Sequence, residues 1–307
     1  MYGTSGSAEA NWDTPRISVV IPTLNRDEPL CVTLRYFLEV ETYPDFELIV
    51  IDQSDSHDAT TLEFLAKNAS RMNYIAATYK GLPKARNHGV HLATGEIVVF
   101  VDDDVVPAPG FLFAHAICYA IQRVIGVAGP TPLPGQSLLS REAIGESGYV
   151  SLVQQREMRF DVDFPFSAQW AQGCNMSFRR EKIIALGGFD EVFQKVAVGE
   201  DAEFSHRARK IGTIRYTPDA RLVHMHVPTG GCRDAANQRE YMRNVAFCKN
   251  YFWFRVEATF AQRMRAMWRT FRSSVLNRRG DFFQAAIGFV EGFLMSSAHI
   301  RRLRRQK

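Results

Sequence analysis

The sequence predicts an α/β fold in which a mostly parallel sheet carries helices on both faces. Short apolar runs at 17–21, 48–51 and 97–101 alternate with stretches of helical periodicity over the first 130 residues. Strands that are apolar along their whole length are typical of parallel sheets covered on both sides. Each run also ends in polar residues, and ligands of such sheets bind at the carboxyl ends of the strands. The pattern therefore predicts a binding site at this edge.

The predicted elements follow one another in a regular order. In the first part of the chain we predict strands at 17–21, 48–51, 74–77 and 97–101, with helices at 29–40, 59–69 and 83–93. The segment from 130 to about 166 is rich in Pro, Gly and Ser, and we predict an irregular excursion suited to acceptor contacts or a lid. Beyond it we predict a strand within 170–178, a helix at 201–210, a short strand at 222–223 and helices from 239 onward.

Composition and charge limit the classes of protein to consider. Of the 307 residues, 46% are hydrophobic and 23% are charged, which is ordinary for a globular protein that buries a core. Residues 261–307 contain 11 Lys or Arg against 2 Asp or Glu, whereas the rest of the chain has an acidic excess. This basic tail predicts an anionic partner, with membrane lipid as the first candidate. Nucleic acid is disfavoured because no nucleic-acid-binding motif accompanies the basic residues.

Two further features bear on location. The first 13 residues look like a loose leader and lack the basic start and apolar run of a secretory signal. Five cysteines are scattered without a C-x-x-C pair, which argues against a disulfide framework and a cysteine zinc site. We therefore expect a cytoplasmic protein with reduced thiols, in peripheral contact with the inner face of a membrane.

A cluster of three aspartates follows the run at 97–101. Asp102, Asp103 and Asp104 are adjacent, and neighbouring carboxylates repel one another unless a cation or a proton offsets their charge. Mg²⁺ and Mn²⁺ take oxygen ligands of this kind together with substrate phosphates. Alternate residues of an extended chain point the same way, so Asp102 and Asp104 could address one ion. A solvated acidic turn is the alternative.

Three other segments carry groups suited to the same chemistry. Lys84 and Arg86 lie near a predicted helix start, where a diphosphate can bind; a capped surface helix is the alternative. Asp201 lies at the start of a later helix and could act as a general base on an acceptor hydroxyl, although acidic residues also cap helices. His224 could complete a metal site, but a histidine at a strand end is more often structural.

Together these segments resemble the family 2 glycosyltransferases, which share the Rossmann-like GT-A fold. The similar stretches follow the family's order over roughly 17–227, and their combination is far more specific than any single stretch. They are VVIPTLNR, LIVIDQSDS, GLPKARNHG, IVVFVDDDVV, QGCNMSFRR, GGFDE and GEDAEFSHRARKIG. We accordingly divide the chain into a flexible leader at 1–15, a GT-A catalytic domain at 16–230 and a helical region with a basic tail at 231–307.

The resemblance implies roles for individual residues. Asp102 and Asp104 match the D-x-D motif, with Asp104 the expected direct metal ligand, and His224 is nearest to a histidine found after the last core strand. Asp201 matches the carboxylate proposed as the catalytic base in the E-D motif. Gln53 stands where many relatives have a second acid. The residues implied in binding the nucleotide-sugar donor are Pro22, Thr23, Asn25, Arg26, Asp52, Lys84, Arg86, Asp102 and Asp103.

The implied activity is transfer of a sugar from a UDP- or dTDP-sugar to a hydroxyl, with inversion at the anomeric carbon and with Mn²⁺ or Mg²⁺. A saccharide or lipid-linked acceptor of surface-polysaccharide or glycolipid synthesis is expected. A nucleotidyltransferase is the second possibility, but it would need a glycine-rich basic loop where this chain has PTLNR. A catalytically silent nucleotide-sugar-binding scaffold is the third, and it is disfavoured because the acidic residues are all present.

A last apolar stretch, at 282–300, predicts an amphipathic helix before the basic terminus. Phe283, Ile287, Val290 and Leu294 fall on one row of that helix, beside a second row that contains Phe289. Polar residues within the stretch argue against a membrane-spanning helix. We expect the helix to pack on the catalytic domain or a dimer partner, with close approach at a G-x-x-x-G pair, and the terminal arginines to contact a membrane.

Overall fold

The computed structural model describes residues 14–154, 158–193, 197–233, 237–276 and 281–305. Most of the predicted leader, residues 1–13, lies outside these ranges. The strands are β1 Ile17–Thr23, β2 Phe46–Asp52, β3 Asn73–Ala76, β4 Ile97–Val101, β5 Val105–Pro107, β6 Val124–Ala128, β7 Phe166–Ala168, β8 Asn175–Arg179, β9 Thr213–Tyr216 and β10 Leu222–His224. The α-helices are α1 Glu28–Arg35, α2 Ala59–Lys67, α3 Leu82–Leu92, α4 Phe111–Cys118, α5 Arg141–Val153, α6 Arg180–Ala185, α7 Glu200–Ala208, α8 Gln238–Arg255, α9 Phe260–Phe271 and α10 Phe282–Arg305.

Eight of the strands form one mixed sheet in the order β3-β2-β1-β4-β8-β6-β9-β7, and β5 pairs with β10 in a separate ribbon. The half built from β3, β2, β1 and β4 is entirely parallel. In the other half β6 and β9 are parallel, whereas β8 and β7 run antiparallel to their neighbours. The predicted mostly parallel sheet is confirmed, and its carboxyl edge brings together the segments that follow β1, β2 and β4.

Helices cover both faces of the sheet, as predicted. Successive side chains of a strand point to opposite faces, and in β1 Val19 packs on one face while Val20 packs on the other. Helices α1 and α4 lie over the first face, where Leu34 and Phe111 are fully buried. Helices α3, α6 and α7 lie over the second face. Gly89 of α3 permits a close approach, because a Cβ there would lie 2.3 Å from Val20 Cγ1.

The segment between β6 and β8 differs from the predicted irregular excursion. It contains α5, which begins after Ser140, whose hydroxyl accepts from the Ala143 amide at 3.2 Å. The helix is kinked at Gly145 (φ 69°), which explains its weak apolar periodicity. The sequence patterns also fail to predict α4, α6, β6, β7 and β9. These elements have only three to eight residues, too few to establish a period.

In the C-terminal region α8 and α10 run side by side and parallel. Two glycines of α10 face α8: a Cβ on Gly288 would lie 2.1 Å from the carbonyl oxygen of Arg239, and one on Gly292 would lie 2.0 Å from that of Arg243. The predicted close approach at this glycine pair is confirmed. At the far end of α10, Ile300 belongs to an apolar cluster that also contains Tyr251 of α8 and Phe193, which lies between α6 and α7.

Packing of α10 is therefore confirmed, but the predicted apolar row is not the buried face. Phe283 is 78% exposed, Ile287 43%, Val290 53% and Leu294 57%. The reason is steric, because two helices approach closely only where their side chains are small. The buried positions of α10 are Ala285, Gly288, Phe289, Gly292, Ser296 and Ile300. Among the described residues, no helix is long and apolar enough to cross a bilayer.

We expect Gly292→Ala to destabilise the protein by about 1–3 kcal/mol, because the new methyl group would overlap the carbonyl oxygen of Arg243. Gly148→Ala is the matched control. Gly148 also lies in a helix, but a Cβ there meets only side-chain atoms of Ile144, at 3.3 Å or more, and alanine favours the helix. Chemical unfolding measures the difference between the variants, and equal stability would contradict the close contact.

Candidate active site

The loops that follow β1, β2 and β3 are tied together at the carboxyl edge of the sheet. Asn25 has a left-handed backbone (φ 53°), and its amide donates to Ser54 Oγ at 2.7 Å. Gln53 connects the other two segments. Its side-chain oxygen accepts from the Gly81 backbone N–H at 2.7 Å, and its backbone N–H donates to the Thr23 carbonyl at 2.9 Å. These bonds hold the expected donor-binding segments side by side.

The three aspartates after β4 point in two directions. Thr23 Oγ1 donates to Asp103 Oδ2 at 2.6 Å, so Asp103 faces β1 and is only 5% exposed. Asp102 and Asp104 instead converge on His224. This is the alternation expected of an extended chain. Asp103 is thereby placed to orient the segment after β1, while its two neighbours are placed to hold a ligand.

Asp104 is held by three partners from two distant segments of the chain, one at Arg26 and one at 224–227. Because β5 pairs with β10, His224 lies opposite Val105, and His224 Nε2 is 3.1 Å from Asp104 Oδ1. The other oxygen, Oδ2, accepts from Arg26 Nη1 at 3.1 Å and from the Val227 amide at 2.9 Å. Burial opposes ionisation, but the contacts with His224, Arg26 and Val227 outweigh it and lower the pKa of Asp104 well below its ordinary value. Asp104 is therefore an oriented carboxylate.

The residues at this point fit a divalent cation. One ligand atom from each of Asp102, Asp104 and His224 can be chosen so that all three lie within 4.8 Å of one another. Two carboxylates with one imidazole form a donor set that suits Mn²⁺ and similar ions. The hydrogen bonds to Asp104 Oδ2 fix that carboxylate and leave its Oδ1 facing the group, as partners of metal ligands commonly do.

Two arginines among the predicted donor-binding residues, Arg26 and Arg86, are buried against carboxylates. Arg26 is 5% exposed, and its guanidinium contacts Asp104 and the Gly230 carbonyl. Arg86 is 1% exposed, forms an ion pair with Glu200 and lies 3.5 Å from Asp102 Oδ1. Their charges are thus matched within the protein, because a buried guanidinium needs a counter-ion. Their positions indicate that they orient the acidic residues.

Asp201 lies at the N-terminus of α7, where the helix dipole favours a carboxylate. Its Oδ2 accepts from the Gly173 amide at 3.0 Å and its Oδ1 from the Ala202 amide at 2.7 Å. Burial nevertheless raises the pKa of Asp201 above its ordinary value. A cleft of about 370 Å³ is lined by Asp201 together with Asp102 and His224, so the possible base and the possible metal ligands share one space.

The remaining predicted donor-binding residues lie around the same edge. Asp52, at the end of β2, is buried, and its carboxylate contacts Tyr74 Oη at 2.6 Å, His57 Nε2 at 2.5 Å and the Ser54 amide at 2.7 Å. Burial is outweighed by these bonds, which lower the pKa of Asp52. Pro22 is buried within β1, whereas Lys84 is exposed with its ammonium 4.3 Å from the centroid of the Tyr79 ring.

Sequence reasoning missed several residues that shape the cleft. Thr131, Leu133 and Gln172 line it, and Thr131 Oγ1 donates to Gln172 Oε1. Gly173 permits the approach of Arg86, since a Cβ there would lie 2.4 Å from Arg86 Nη2. Gln172 and Gly173 lie in the matched stretch QGCNMSFRR, but the sequence assigned them no role, because each acts through a neighbour that is distant in the chain. A glycine inside an otherwise strand-like stretch was the one usable signal.

His57 adds a contribution to stability that depends on pH. Its Nδ1 lies 2.8 Å from Asp27 Oδ1, and its Nε2 contacts Asp52. Burial disfavours the charged ring, but the bonds to the two carboxylates outweigh it, and the pKa of His57 is raised. A histidine whose folded-state pKa is raised stabilises the fold fully below its unfolded value of about 6.5, and this contribution is lost as the pH rises through the folded-state pKa.

We therefore expect the stability of the wild type to fall as the pH rises from about 6 through the folded-state pKa of His57, and His57→Gln to lack this component. Each unit by which folding raises the pKa of His57 corresponds to about 1.4 kcal/mol of folding free energy. Unfolding at a series of pH values measures the effect. His91→Gln, at an exposed position of α3, is the control. Parallel curves for wild type and His57→Gln would show that the two carboxylates contribute nothing through His57.

Comparison with known proteins agrees with the geometry. The model of the family described as Glycosyl transferase family 2 matches residues 18–187, more than half of the chain. The hyaluronan synthase of Pasteurella multocida is 27% identical over 259 residues, which cover 75% of this chain and 26% of that protein. The validoxylamine A glucosyltransferase of Streptomyces hygroscopicus subsp. limoneus is 29% identical over 224 residues, or 64% of this chain and 49% of that protein. The matched part thus spans about half or less of these relatives.

Solved structures show the same architecture. GalNAc-T7 with UDP, GalNAc and Mn²⁺ has a TM-score of 0.59 at 17% identity, covering 86% of this chain and 58% of its own. The mannosyltransferase PcManGT of Pyrobaculum calidifontis, in complex with GDP-Man and Mn²⁺, has a TM-score of 0.55 at 20% identity. The match covers 96% of this chain and 79% of PcManGT. With over half of its length matched by the family model and its sheet shared with these transferases, the chain belongs to glycosyl transferase family 2 and has the GT-A fold.

Proposed function

We propose that the protein is a metal-dependent, inverting glycosyltransferase that moves a sugar from a nucleotide-sugar donor to a hydroxyl of an acceptor. One observation carries the proposal. Asp102 and His224, two of the three possible metal ligands, line the same cleft as Asp201. A cleft that can hold a diphosphate through a cation and also presents a base has both groups that a direct displacement requires.

Asp201 accepts the proton of the acceptor hydroxyl in this mechanism. Each of its oxygens receives one backbone N–H, which leaves further lone pairs for an incoming hydroxyl. As the acceptor oxygen forms its bond to C1 of the sugar, the bond from C1 to the nucleoside diphosphate breaks and the proton passes to Asp201. Attack on the face opposite the leaving group inverts the configuration at C1.

The residues around the aspartates prepare the site for the departing diphosphate. A bound divalent ion would neutralise the negative charge that develops on the leaving group. Arg26 holds Asp104 in place, and Arg86 holds Asp102 and Glu200. Lys84 is exposed near the same edge, and its flexible ammonium can approach the diphosphate.

We propose a UDP- or dTDP-sugar as the donor and Mn²⁺ or Mg²⁺ as the ion. The carboxylate-rich donor set supports such an ion. For the acceptor we propose a saccharide or lipid-linked saccharide of surface-polysaccharide or glycolipid synthesis. The names of relatives support this class: they include a hyaluronan synthase, a chondroitin synthase and an O-antigen biosynthesis protein.

The test is a screen of the purified protein against UDP-, dTDP- and GDP-sugars, with Mn²⁺, with Mg²⁺ and with EDTA. We expect one nucleotide sugar to bind and to be slowly hydrolysed in the presence of a divalent ion, and EDTA to abolish both. NMR of the anomeric product, once an acceptor is found, establishes whether the configuration is inverted.

Failure of every nucleotide sugar to bind with either ion would remove the support for this function. Binding without turnover across many acceptors would favour a catalytically silent nucleotide-sugar-binding scaffold instead. Retention of configuration in the product would exclude direct displacement with Asp201 as the base.

A further inference from the structure

The outward side of the C-terminal helices carries an unusual amount of exposed apolar surface. Of the 19 large apolar side chains that are exposed among the described residues, nine lie between 260 and 295. Four of them, Phe283, Ile287, Val290 and Leu294, form one row along α10, which we call the outer row. They are 43% to 78% exposed. Exposed apolar side chains that are grouped in this way mark an interaction site.

The outer row lies on the side of α10 that faces away from α8. The side toward α8 is set by Gly288 and Gly292, which contact the backbone of α8 closely. Gly292 differs from Leu294 by two positions, or about 200° of helix rotation. Since α8 occupies the inner side, the outer row is not the side of α10 that packs against α8.

Positive charge continues the outer row toward the C-terminus. Arg301 follows Phe283 by eighteen residues and Arg305 follows Ile287 by eighteen, which is about five helical turns. Both arginines are exposed. The carboxylate of Glu291 on the same helix is bound by Arg239, so its charge is offset. The row is therefore apolar over its first part and cationic over its last.

Helix α9 adds a tryptophan and further cations. Trp268 is 60% exposed and stacks on Phe271, with ring centroids 5.9 Å apart. Phe271 in turn contacts Phe289 of α10, with centroids 5.2 Å apart. Tryptophan is enriched where protein meets the membrane–water interface. The exposed arginines of α9 and of the π-helical segment Arg272–Leu276 that follows it are Arg265, Arg269 and Arg272.

We propose that the outer row of α10, with Trp268 and the neighbouring arginines, docks flat on an anionic lipid surface. An apolar helix face flanked by cations buries its side chains at the acyl boundary while the arginines contact anionic headgroups. A second copy of the chain is a poorer occupant, because the exposed arginines would then lack the counter-charges that anionic headgroups provide. The contact that we propose is peripheral, with the apolar side chains at the surface of the bilayer.

The helices that would face the lipid are connected to the candidate active site through α8. Helix α8, to which α10 is packed, also contacts the start of α7, where a Cβ on Gly199 would lie 3.4 Å from Phe252. Gly199 immediately precedes Glu200 and Asp201. The lipid-facing helices are thus built onto the element that carries the proposed base. The inference does not depend on the proposed function, since lipid binding can be measured without turnover.

The experiment is cosedimentation of the full chain with vesicles of phosphatidylcholine alone and with roughly a third phosphatidylglycerol. We expect binding to the anionic vesicles that weakens with added salt, and little binding to the neutral ones. Ile287→Ser combined with Leu294→Ser should weaken binding about ten-fold or more. Arg301→Gln combined with Arg305→Gln should also weaken it about ten-fold.

Matched controls separate a local surface from a general effect. Ile117→Ser with Ile184→Ser removes two apolar groups far from α10 in the sequence that are 64% and 51% exposed, comparable to Ile287 and Leu294. Lys67→Gln with Arg123→Gln removes two exposed cations in the same part of the chain. Both control pairs should bind like the wild type, and all variants should melt like it. Absence of binding at low salt, or undiminished binding by the α10 variants, would overturn the proposal. So would a dimer in sedimentation velocity that only the α10 variants lose, because a second copy would then cover this face.

Discussion

Asp201→Asn is expected to lower kcat about 10²- to 10⁴-fold while leaving donor binding nearly unchanged. An amide cannot take the proton of the acceptor hydroxyl, but its oxygen can still accept from the Gly173 amide, so the start of α7 should keep its place. The measurement is kcat and KM with the donor and acceptor identified by screening, together with calorimetric titration of the donor.

The control for this substitution is Asp45→Asn, an exposed carboxylate just before β2, at the opposite edge of the sheet. It should change neither kcat nor donor affinity. The pH profile gives a second readout. Because burial raises the pKa of Asp201, and a base works only when deprotonated, the rate of the wild type should fall on the acid side at a pH above the ordinary value for aspartate, about 3.9. An Asn variant that retained more than about a tenth of kcat would exclude Asp201 as the base.

Asp104→Asn is expected to abolish the dependence of donor binding on the metal and to weaken that binding about 100-fold or more. The substitution removes a charged ligand from the group formed with Asp102 and His224. It also leaves the buried guanidinium of Arg26 without its counter-ion, so we expect a loss of stability of about 3 kcal/mol. Calorimetric titration of Mn²⁺ and donor, and unfolding in the absence of metal, measure the two effects separately.

Asp103→Asn is the informative comparison, because it lies in the same cluster but accepts a hydrogen bond from Thr23. An asparagine there can keep that bond, so donor binding should still respond to Mn²⁺. Asp104→Asn protein that was folded and responded to Mn²⁺ like the wild type would show that the cation binds elsewhere. An equal loss of the metal response in both variants would show that only the total negative charge matters.

The sequence by itself determined the alternation of strands and helices in the first hundred residues. The buried strands β1, β2 and β4 are continuous apolar runs, and such runs report burial on both faces without knowledge of the neighbouring strand. It also placed the three aspartates at the carboxyl edge, because they follow β4 directly. The order of the matched stretches was enough to indicate the family, since many weak local signals combine into one specific pattern.

Only the tertiary structure decided which distant groups meet. His224 reaches Asp104 across 120 positions because β10 pairs with β5, and Arg86 reaches Glu200 across 114 positions. A local pattern reports how exposed a residue is on average but does not say which charge it will face. For that reason the sequence placed Arg26 and Arg86 among the donor-binding residues but could not show that the fold also pairs them with Asp104 and Glu200.

The C-terminal helix shows the same division. Its periodicity was visible in the sequence, and so was the glycine pair at Gly288 and Gly292. Which side of the helix is buried depended on the backbone of α8, which comes within contact distance of those glycines and leaves no room for larger residues. Hydrophobic periodicity therefore determined that α10 is an amphipathic helix, and steric fit against α8 determined that its most apolar row, with Phe283 and Leu294, faces outward.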